Sequence, residues 1–476
     1  MHNIDIFIFV FYMLVMVGIG IYFNRKNTGH DDYYAGGRGM GSGHIGLSVV
    51  ATDVGGGFSI GLGGLGFAIG ISGSWMLFTG LIGAWLSAIF LIPVVYPAGR
   101  DQRLLSFPQW LQSRYNKRVA IIAGVISGIG YLGFTASQML AGAKLASGVF
   151  PELDLQTALF IMGGFAIVYT ALGGLKAVIY TDSIQWLILL IGLVFVGLPL
   201  GYASVGGMDA IRTALPAELL RLDNIGFPQI LNWAVTIIPI WFIGMTLYQR
   251  IYACKDEQTA RKAWYIAGLF EYPVMAFMGV GLGLLSKVAA EQGMFAPDGF
   301  TSAAGMDAEI GLPIFLRYIL PVGGMGIMLS AYFSAILSTA DSCLMAASGN
   351  LVHDIIPKNK TFQTLKGSQL ATLLLGIVAL LLASNMQSVL DLMLHSYAIM
   401  VSGMFIPVVG LLFFAQPKAK AAVGAMISGG GSTLLLTLSG IALPFGFDPI
   451  IPGILISFII FVFIQKMKPH GISGVK

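Results

Sequence analysis

The stretch "SVVATDVGGGFSIGLGGLGFAIG" (residues 48–70) lies in a long apolar run, yet it places an acid, Asp53, just before three glycines at 55–57. A charge at mid-bilayer costs roughly 2.5–3.5 kcal/mol or more, and each glycine weakens a helix by roughly 1 kcal/mol. Such residues are tolerated where a helix unwinds and lines a cavity, because the freed carbonyl groups can coordinate a cation. A glycine face for close packing is the alternative interpretation, but it does not account for Asp53. The stretch therefore predicts a broken membrane helix at an ion or solute site.

The composition is that of an all-α integral membrane protein. Of the 476 residues, 56% are hydrophobic and 10% are charged, and the mean hydropathy is +0.83. A soluble domain carries about 25% charged residues. The net charge is +4, and the basic residues are scattered through loops, so the charge does not indicate a nucleic-acid partner. Two cysteines, Cys254 and Cys343, provide no disulfide framework, and the six histidines show no paired metal spacing.

About 13 apolar runs are long enough to cross ~30 Å of hydrocarbon. They are predicted at 4–23, 44–71, 75–97, 119–149, 155–173, 177–203, 229–249, 263–288, 313–350, 367–384, 388–415, 421–442 and 450–466. The first run lacks a positive n-region and is followed by "NRKN" (24–27), so we expect a retained span rather than a signal peptide.

The distribution of positive charge predicts the orientation. With the N-terminus outside and the C-terminus in the cytoplasm, most of the 26 Lys and Arg residues fall in inner loops, including Arg250. Cytoplasmic loops are enriched in these residues. We therefore expect a multi-pass protein of the plasma (inner) membrane.

A second constellation is "AYFSAILSTADSC" (331–343). Ala335, Ser338, Thr339 and Ser342 share one helical face by their spacing. Sodium is a hard cation that takes oxygen ligands, as calcium and magnesium do. Two hydroxyls and a carbonyl one turn earlier would offer three oxygen ligands. Alternatively, the hydroxyls bond carbonyls within their own helix.

The third is "GGLKAVIYTDSIQW" (173–186), read as a tight inner turn followed by a new span. Asp182 lies one to two turns into that span and needs a partner or an ion. Lys176 is expected only to anchor the helix at the interface. A fourth group, aromatic residues with one amide, is weaker evidence because aromatics in membrane proteins mostly form belts or pack. Its members are Phe58, Trp75, Tyr131, Trp233, Trp241, Tyr248, Tyr397 and Gln138.

With these motifs in hand, the chain resembles the sodium:solute symporter family over nearly its whole length. The most specific pieces are "ATDVGGG" (51–57), "GGLKAVIYTDSIQ" (173–185) and "SAILSTADS" (334–342). The resemblance implies a LeuT-type core of two inverted five-helix repeats, with one helix before it and two after it. The implied division is an N-terminal helix and linker at 1–43, repeats at 44–203 and 204–415, and two C-terminal helices at 416–476.

The resemblance also implies the sodium site. Its ligands would be the carbonyls of Ala51, Val54 and Ala335 and the hydroxyls of Ser338 and Thr339. Further candidate ion ligands are Asp53, Asp182 and Ser342. Some family members have a serine where this chain has Ala335, and there it helps to hold a second sodium, so a second ion by that route is not expected.

The family's solute pocket corresponds here to six residues. They are Asp53, Phe58, Gln138, Trp241, Tyr248 and Tyr397. Asp53 and the segment around Tyr397 look like the proline-carrier branch, whereas "VGGG" and "YQR" look like the choline branch. That branch cages its cation with tryptophans, but the matching positions here are Asp53 and Gly244, which argues against choline.

These expectations describe a sodium-coupled symporter that imports a small organic solute by alternating access, with Na⁺ as the coupling ion. Asp53 could bind sodium or pair with an ammonium on the solute, which favours an amino acid or small organic amine. A proton-coupled carrier, with Asp53 or Asp182 titrating, and a sodium-coupled carrier of a sugar or organic acid remain alternatives. An enzyme is not expected, since neither an "HExxH" motif nor an activated Ser/His pair occurs. The partners are the solute and the bilayer; a monomer suffices, and an oligomer is compatible.

Overall fold

The computed structural model describes residues 1–26, 41–53, 56–356, 359, 361–362 and 364–467, without the side chains of residues 20, 23–26, 53, 56 and 173–185. Regular structure in this part of the chain is helical throughout. The α-helices are α1 (Asn3–Lys26), α2 (Ser42–Asp53), α3 (Gly56–Ile69), α4 (Trp75–Phe90), α5 (Ile92–Asp101), α6 (Phe107–Arg114), α7 (Lys117–Val149), α8 (Leu155–Ile191), α9 (Leu198–Ser204), α10 (Gly207–Ala214), α11 (Phe227–Ile243), α12 (Met245–Ala253), α13 (Glu257–Leu269), α14 (Ala276–Glu291), α15 (Ala308–Ile319), α16 (Gly324–Gly349), α17 (Leu365–Ala383), α18 (Val389–Phe413), α19 (Ala419–Ser439) and α20 (Ile450–Lys466). Short π-helical turns occupy Gly192–Gly197, Phe270–Met275 and Asn350–Ile355.

Side-chain caps set the start of several long helices. The Asn116 carboxamide accepts a hydrogen bond from the Val119 amide at the start of α7, and Asp154 accepts two at the start of α8. Ser388 caps α18 in the same way. Such caps satisfy amides that have no partner within the helix.

Nine helices in the described residues are long and apolar enough to cross a membrane, or ten if the bent pair α11 and α12 forms one span. Two shorter apolar helices lie at Asn3–Ile19 and Ile450–Lys466. The helical architecture is as expected, and the count of thirteen remains a prediction. The tight inner turn predicted between spans 155–173 and 177–203 is wrong, because α8 is one helix from Leu155 to Ile191. The prediction of one span at 313–350 is wrong, because two separate helices share this run: α15 ends at Ile319 and α16 begins at Gly324. Between them, Gly323 adopts a left-handed backbone (φ 83°) that glycine accommodates readily.

The predicted break lies where the structure changes helix. Helix α2 ends at Asp53 and α3 begins at Gly56, and the two residues between them are outside the described part. A second break was not anticipated: α11 and α12 meet at Gly244 with a bend of 43°. Gly244 has an extended ψ of 116°, so the predicted span 229–249 is interrupted.

Glycines beyond the first break pack α3 closely against its neighbours. A Cβ on Gly283 of α14 would lie 1.9 Å from the carbonyl oxygen of Gly63. The close-packing interpretation therefore holds for this part of the glycine-rich stretch. At the centre lies α16, in which nearly all residues are buried. Both side-chain oxygens and carbonyls presented by this helix are thus shielded from lipid.

Candidate ion and solute site

The end of α2 meets the middle of α16. The hydroxyl of Thr339 lies 3.1 Å from the carbonyl oxygen of Ala51 and 3.1 Å from that of Ala335. All three residues are buried. A hydroxyl has one proton and cannot donate fully to two carbonyls at once. Three oxygens therefore converge where only one of the contacts can be a full hydrogen bond.

Ser338, the residue before Thr339 on α16, carries another hydroxyl oxygen. Its side chain is buried, and its Oγ has no hydrogen-bond partner in the described structure. A buried polar atom without a partner is costly. A hard cation would satisfy this oxygen together with the two carbonyls and the Thr339 hydroxyl, so the donor set fits an alkali metal ion.

The remaining predicted ion ligands are placed differently. Val54 lies outside the described residues, as do the side chains of Asp53 and Asp182, although α2 ends at Asp53 and α8 includes position 182. The Ser342 Oγ lies 3.3 Å from Nη2 of Arg250. This hydroxyl therefore faces a fixed positive charge.

Arg250 was expected in an inner loop, and that expectation is wrong. It is a buried residue of α12, and its guanidinium donates to Ser48 and Thr52 of α2 as well as to Ser342 of α16. The guanidinium thus joins three helices next to the Ala51–Thr339 contact. Its position near the end of an apolar run was the available signal, since charged residues in spans usually serve a function.

Part of the predicted solute set meets at the start of α3. A Cβ on Gly57 would lie 2.1 Å from Oε1 of Gln138 on α7, so glycine is needed for this approach. Gln138 is fully buried, and its Oε1 has no hydrogen-bond partner in the described structure. Phe58, which follows Gly57 in the chain, is also buried. An acceptor without a partner therefore faces the first helix break.

One face of α7 connects this point to α18 and α12. Phe134, one turn before Gln138, packs edge-on against Tyr397 of α18 with ring centroids 5.0 Å apart. One turn earlier, the Tyr131 hydroxyl accepts a hydrogen bond from the Thr246 amide at the start of α12. The face therefore meets both helix breaks. Phe134 was not among the predicted site residues, although its spacing of one helical turn from Gln138 was a usable signal.

Trp241 and Tyr248 contact other elements. Trp241 packs against Trp264 of α13 with ring centroids 6.3 Å apart. The Tyr248 ring lies 4.9 Å from that of Phe107 on α6, and its hydroxyl donates to the Phe242 carbonyl. These contacts belong to helix packing, and their predicted role in solute binding stays a prediction.

A buried ionic cluster was also missed. The Lys144 ammonium, 1% exposed, lies 2.6 Å from Asp307 and 2.7 Å from Glu309. Glu309 also accepts hydrogen bonds from the backbone amides of Val389 and Leu390 at the start of α18. The cluster thus ties α7, α15 and α18 together beside a cavity of about 430 Å³. Lysine within an apolar run was the signal in the sequence.

Comparisons with known proteins agree with this architecture. The family model described as "Sodium:solute symporter family" matches residues 33–429. The osmoregulated proline transporter OpuE of Bacillus subtilis (strain 168) is 27% identical over 93% of this chain and 90% of its own. The sodium/glucose cotransporter of Vibrio parahaemolyticus is 25% identical over 99% and 92%.

A solved structure shares the fold. The outward-open, substrate-bound structure of a Na⁺-coupled sialic acid symporter superposes with a TM-score of 0.76 at 21% identity, covering 98% of both chains. Mhp1, a nucleobase-cation-symport-1 family transporter in a closed conformation, gives a TM-score of 0.54 at 13% identity over 92% of this chain and 95% of its own. The predicted LeuT-type membrane fold is thereby confirmed, and the chain belongs to the sodium:solute symporter family.

Proposed function

We propose that this protein is a sodium-coupled symporter that imports an amino acid or small organic amine. The single observation that carries the proposal is the convergence of the Ala51 and Ala335 carbonyls on the Thr339 hydroxyl, 3.1 Å from each. Beside them stands Ser338, whose buried Oγ lacks a partner in the described structure. Membership of a sodium symporter family supports Na⁺ as the ion. The carbonyl of Val54 would complete the ligand set.

The solute would bind beside the contact between the first helix break and Gln138 of α7. The start of α3 carries partial positive charge, which suits a carboxylate. The buried Gln138 Oε1 offers an acceptor for an ammonium group, and Asp53 would add a second one. A zwitterionic amino acid has both groups, which is why we favour it over a sugar. Phe58 and Tyr397 would cover its apolar part.

Ion binding would stabilise α2 against α16 and so favour closure around the solute. Because Ala51 belongs to the interrupted helix and Thr339 to the buried centre, an ion shared by both fixes the position of the break. Opening to the opposite side would release the ion and then the solute. We propose an inner-membrane orientation with the N-terminus outside and the C-terminus in the cytoplasm. In this orientation, release on the opposite side delivers the solute into the cytoplasm.

The driving force is adequate. One charge crossing 100 mV provides ~2.3 kcal/mol, and a tenfold sodium gradient adds ~1.4 kcal/mol. These contributions support accumulation of the solute by a few hundred-fold per ion.

The test is a thermal-shift titration of the purified protein with NaCl, using N-methyl-D-glucamine chloride to keep the ionic strength constant. A solute panel of amino acids, small amines, sugars and carboxylic acids is run with and without sodium. We expect Ser338→Ala and Thr339→Ala to raise the sodium concentration for half-maximal stabilisation at least tenfold. Sodium-driven uptake into proteoliposomes should fall in parallel.

Ser330→Ala is the matched control. Ser330 is also a buried serine of α16, but its hydroxyl bonds the Gly326 carbonyl one turn back at 2.7 Å. This variant should keep the wild-type sodium response. Wild-type sodium dependence in both Ser338→Ala and Thr339→Ala would show that the ion site is elsewhere. Transport that tracks pH and survives without sodium would support the proton-coupled alternative.

A further inference from the structure

A second group of buried polar side chains lies just after α16, in the π-helical turn Asn350–Ile355. Asn350 donates a hydrogen bond through Nδ2 to the Ser127 hydroxyl of α7 at 2.7 Å. The Ser106 hydroxyl, before α6, donates to Oδ1 of Asp354 at 2.9 Å. We call these four residues the Asn350–Asp354 cluster. All four are more than nine-tenths buried.

Two oxygen atoms of this cluster have no hydrogen-bond partner among the described residues. Oδ1 of Asn350 and Oδ2 of Asp354 are buried and lack a hydrogen-bond donor in the described structure. Buried acceptors are normally satisfied, and a buried carboxylate normally has a positive charge beside it. Among the ion pairs of the described residues, none involves Asp354. The cluster therefore has spare acceptors and a carboxyl group without an ion-pair partner among the described residues.

The side chains that carry the two acceptors pack against one strip of α7. A Cβ on Gly124 would lie 3.1 Å from the Cβ of Asp354, and one on Gly128 would lie 4.0 Å from the Cβ of Asn350. Ser127, which holds the Asn350 amide, comes between these glycines in the sequence. Both side chains thus lie along the same short stretch of α7, where glycines leave room beside the backbone.

The chemistry of the cluster selects a monovalent cation. Its free atoms are oxygens, which hard cations prefer. One carboxylate balances one positive charge, whereas a divalent ion would leave net charge in a buried place. In the described residues, no group of three or more His, Cys, Asp and Glu side chains could hold a metal ion. An alkali cation meets these conditions.

We propose that the Asn350–Asp354 cluster is a second alkali-cation site, separate from the one at Thr339. Asp354 supplies the charge, Asn350 Oδ1 is the second ligand, and the hydroxyls of Ser106 and Ser127 orient the two side chains. Asp354 follows Thr339 by fifteen residues, which is roughly 22 Å along a helix. An ion at one site therefore shares no ligand with an ion at the other. Because Ser106 also caps α6 through the Gln109 amide, occupancy would hold α6 against the end of α16.

The test is equilibrium dialysis of the purified full-length protein with ²²Na⁺, and in parallel with ⁸⁶Rb⁺ as a potassium surrogate, in N-methyl-D-glucamine buffer without solute. We expect Asp354→Asn to bind one cation fewer per protein than the wild type in one of the two arms. The arm that changes identifies the ion. Equal stoichiometry of wild type and Asp354→Asn in both arms would overturn the proposal, as would wild-type protein in which only the Thr339 site binds.

Further variants separate this site from the proposed transport site. Ser338→Ala combined with Thr339→Ala should keep the Asp354-dependent ion, and adding Asp354→Asn should remove it. Asn350→Leu should weaken the same ion at least tenfold, whereas Asp391→Asn, at an exposed acid, should change nothing. Asparagine at 354 still accepts the Ser106 hydrogen bond, so its melting temperature without cation should match the wild type. A fall in that temperature, with the ion retained in Asn350→Leu, would assign the cluster a purely structural role.

Discussion

The hydroxyl oxygen of Thr339 lies 3.1 Å from the carbonyl oxygen of Ala51, although 288 positions separate them in the chain. Ala51 belongs to the last turn of α2, and Thr339 lies in the middle of α16. The contact joins an interrupted helix to the most deeply buried one. Binding of an ion here would therefore require that these two helices are in contact.

Thr339→Val should separate the hydroxyl from the shape of the side chain. Valine has the same branching but no oxygen, so the sodium concentration for half-maximal thermal stabilisation should rise at least tenfold, which corresponds to ~1.4 kcal/mol. Thr339→Ser keeps the oxygen and should stay within a few-fold of the wild type. Equal titration curves for the valine variant and the wild type would contradict a ligand role for this hydroxyl.

Gly57→Ala should weaken solute binding while leaving the protein folded. The added Cβ would meet the end of the Gln138 side chain, 2.1 Å from Oε1, so the amide must move. Apparent solute affinity in sodium should fall at least tenfold, measured by uptake with the solute that the panel identifies. Gly164→Ala, where a Cβ meets nothing within 4 Å, is the control. Unchanged solute affinity in Gly57→Ala would place the solute away from Gln138.

Glu309→Gln should destabilise the protein more than Asp307→Asn does. Both acids pair with the buried Lys144, but the Glu309 side chain is 8% exposed and that of Asp307 is 41% exposed. Removing one partner of a buried ion pair costs about 3–5 kcal/mol, whereas solvent screens an exposed one. Thermal unfolding in detergent measures the difference. Asp223→Asn, which breaks an exposed pair with Arg221, should have no effect; a loss as large as that of Glu309→Gln would show that burial is not the cause.

Asp448 should make stability fall with rising pH. Burial raises the pKa of Asp448 in the loop before α20, and the nearby Asp391 adds to this, while His395 opposes it. The ionised form therefore costs the folded state free energy once the pH rises through the interval between the unfolded and folded pKa values. Asp448→Asn should melt at a higher temperature than the wild type at pH 7, and the gap should close once the pH falls below the ordinary pKa of an aspartate, 3.8.

Asp154 provides the opposite sign for comparison. Hydrogen bonds from Thr157 lower the pKa of this exposed acid at the start of α8. Its contribution to stability is present above the unfolded pKa and is lost as the pH falls through the folded one. Asp154→Asn should therefore melt slightly lower than the wild type at pH 7 and equally at low pH. The same pH trend for both variants would mean that neither acid acts through its own titration.

Several features could be predicted because they depend on local chemistry. An acid followed by glycines in an apolar run predicts a helix break near residue 53, and α2 ends there. Adjacent hydroxyls in "SAILSTADS" predict oxygen ligands; the Ser338 Oγ is buried and has no hydrogen-bond partner among the described residues, and its role as a ligand stays a prediction. In both cases a few consecutive residues carry the whole signal.

Other features depend on which helices become neighbours. Lys144 is one lysine in a long run, and only the packing of α7 against α15 gives it two carboxylates. Trp241 and Tyr248 belong to helices of the expected pocket, but the direction in which each ring points is set by packing against α13 and α6. The second break, at Gly244, rests on one glycine with an extended ψ, which a sequence pattern does not distinguish from a packing glycine.

The amino-acid sequence by itself determined that this chain is embedded in a membrane as a set of helices, because hydropathy and local helix breaks are properties of adjacent residues. The tertiary structure alone decided that the Ala51 carbonyl meets the Thr339 hydroxyl, that Arg250 is buried among three helices, and that Asn350 and Asp354 lie along one strip of α7. Those facts depend on distances between residues far apart in the chain, and helix packing sets these distances.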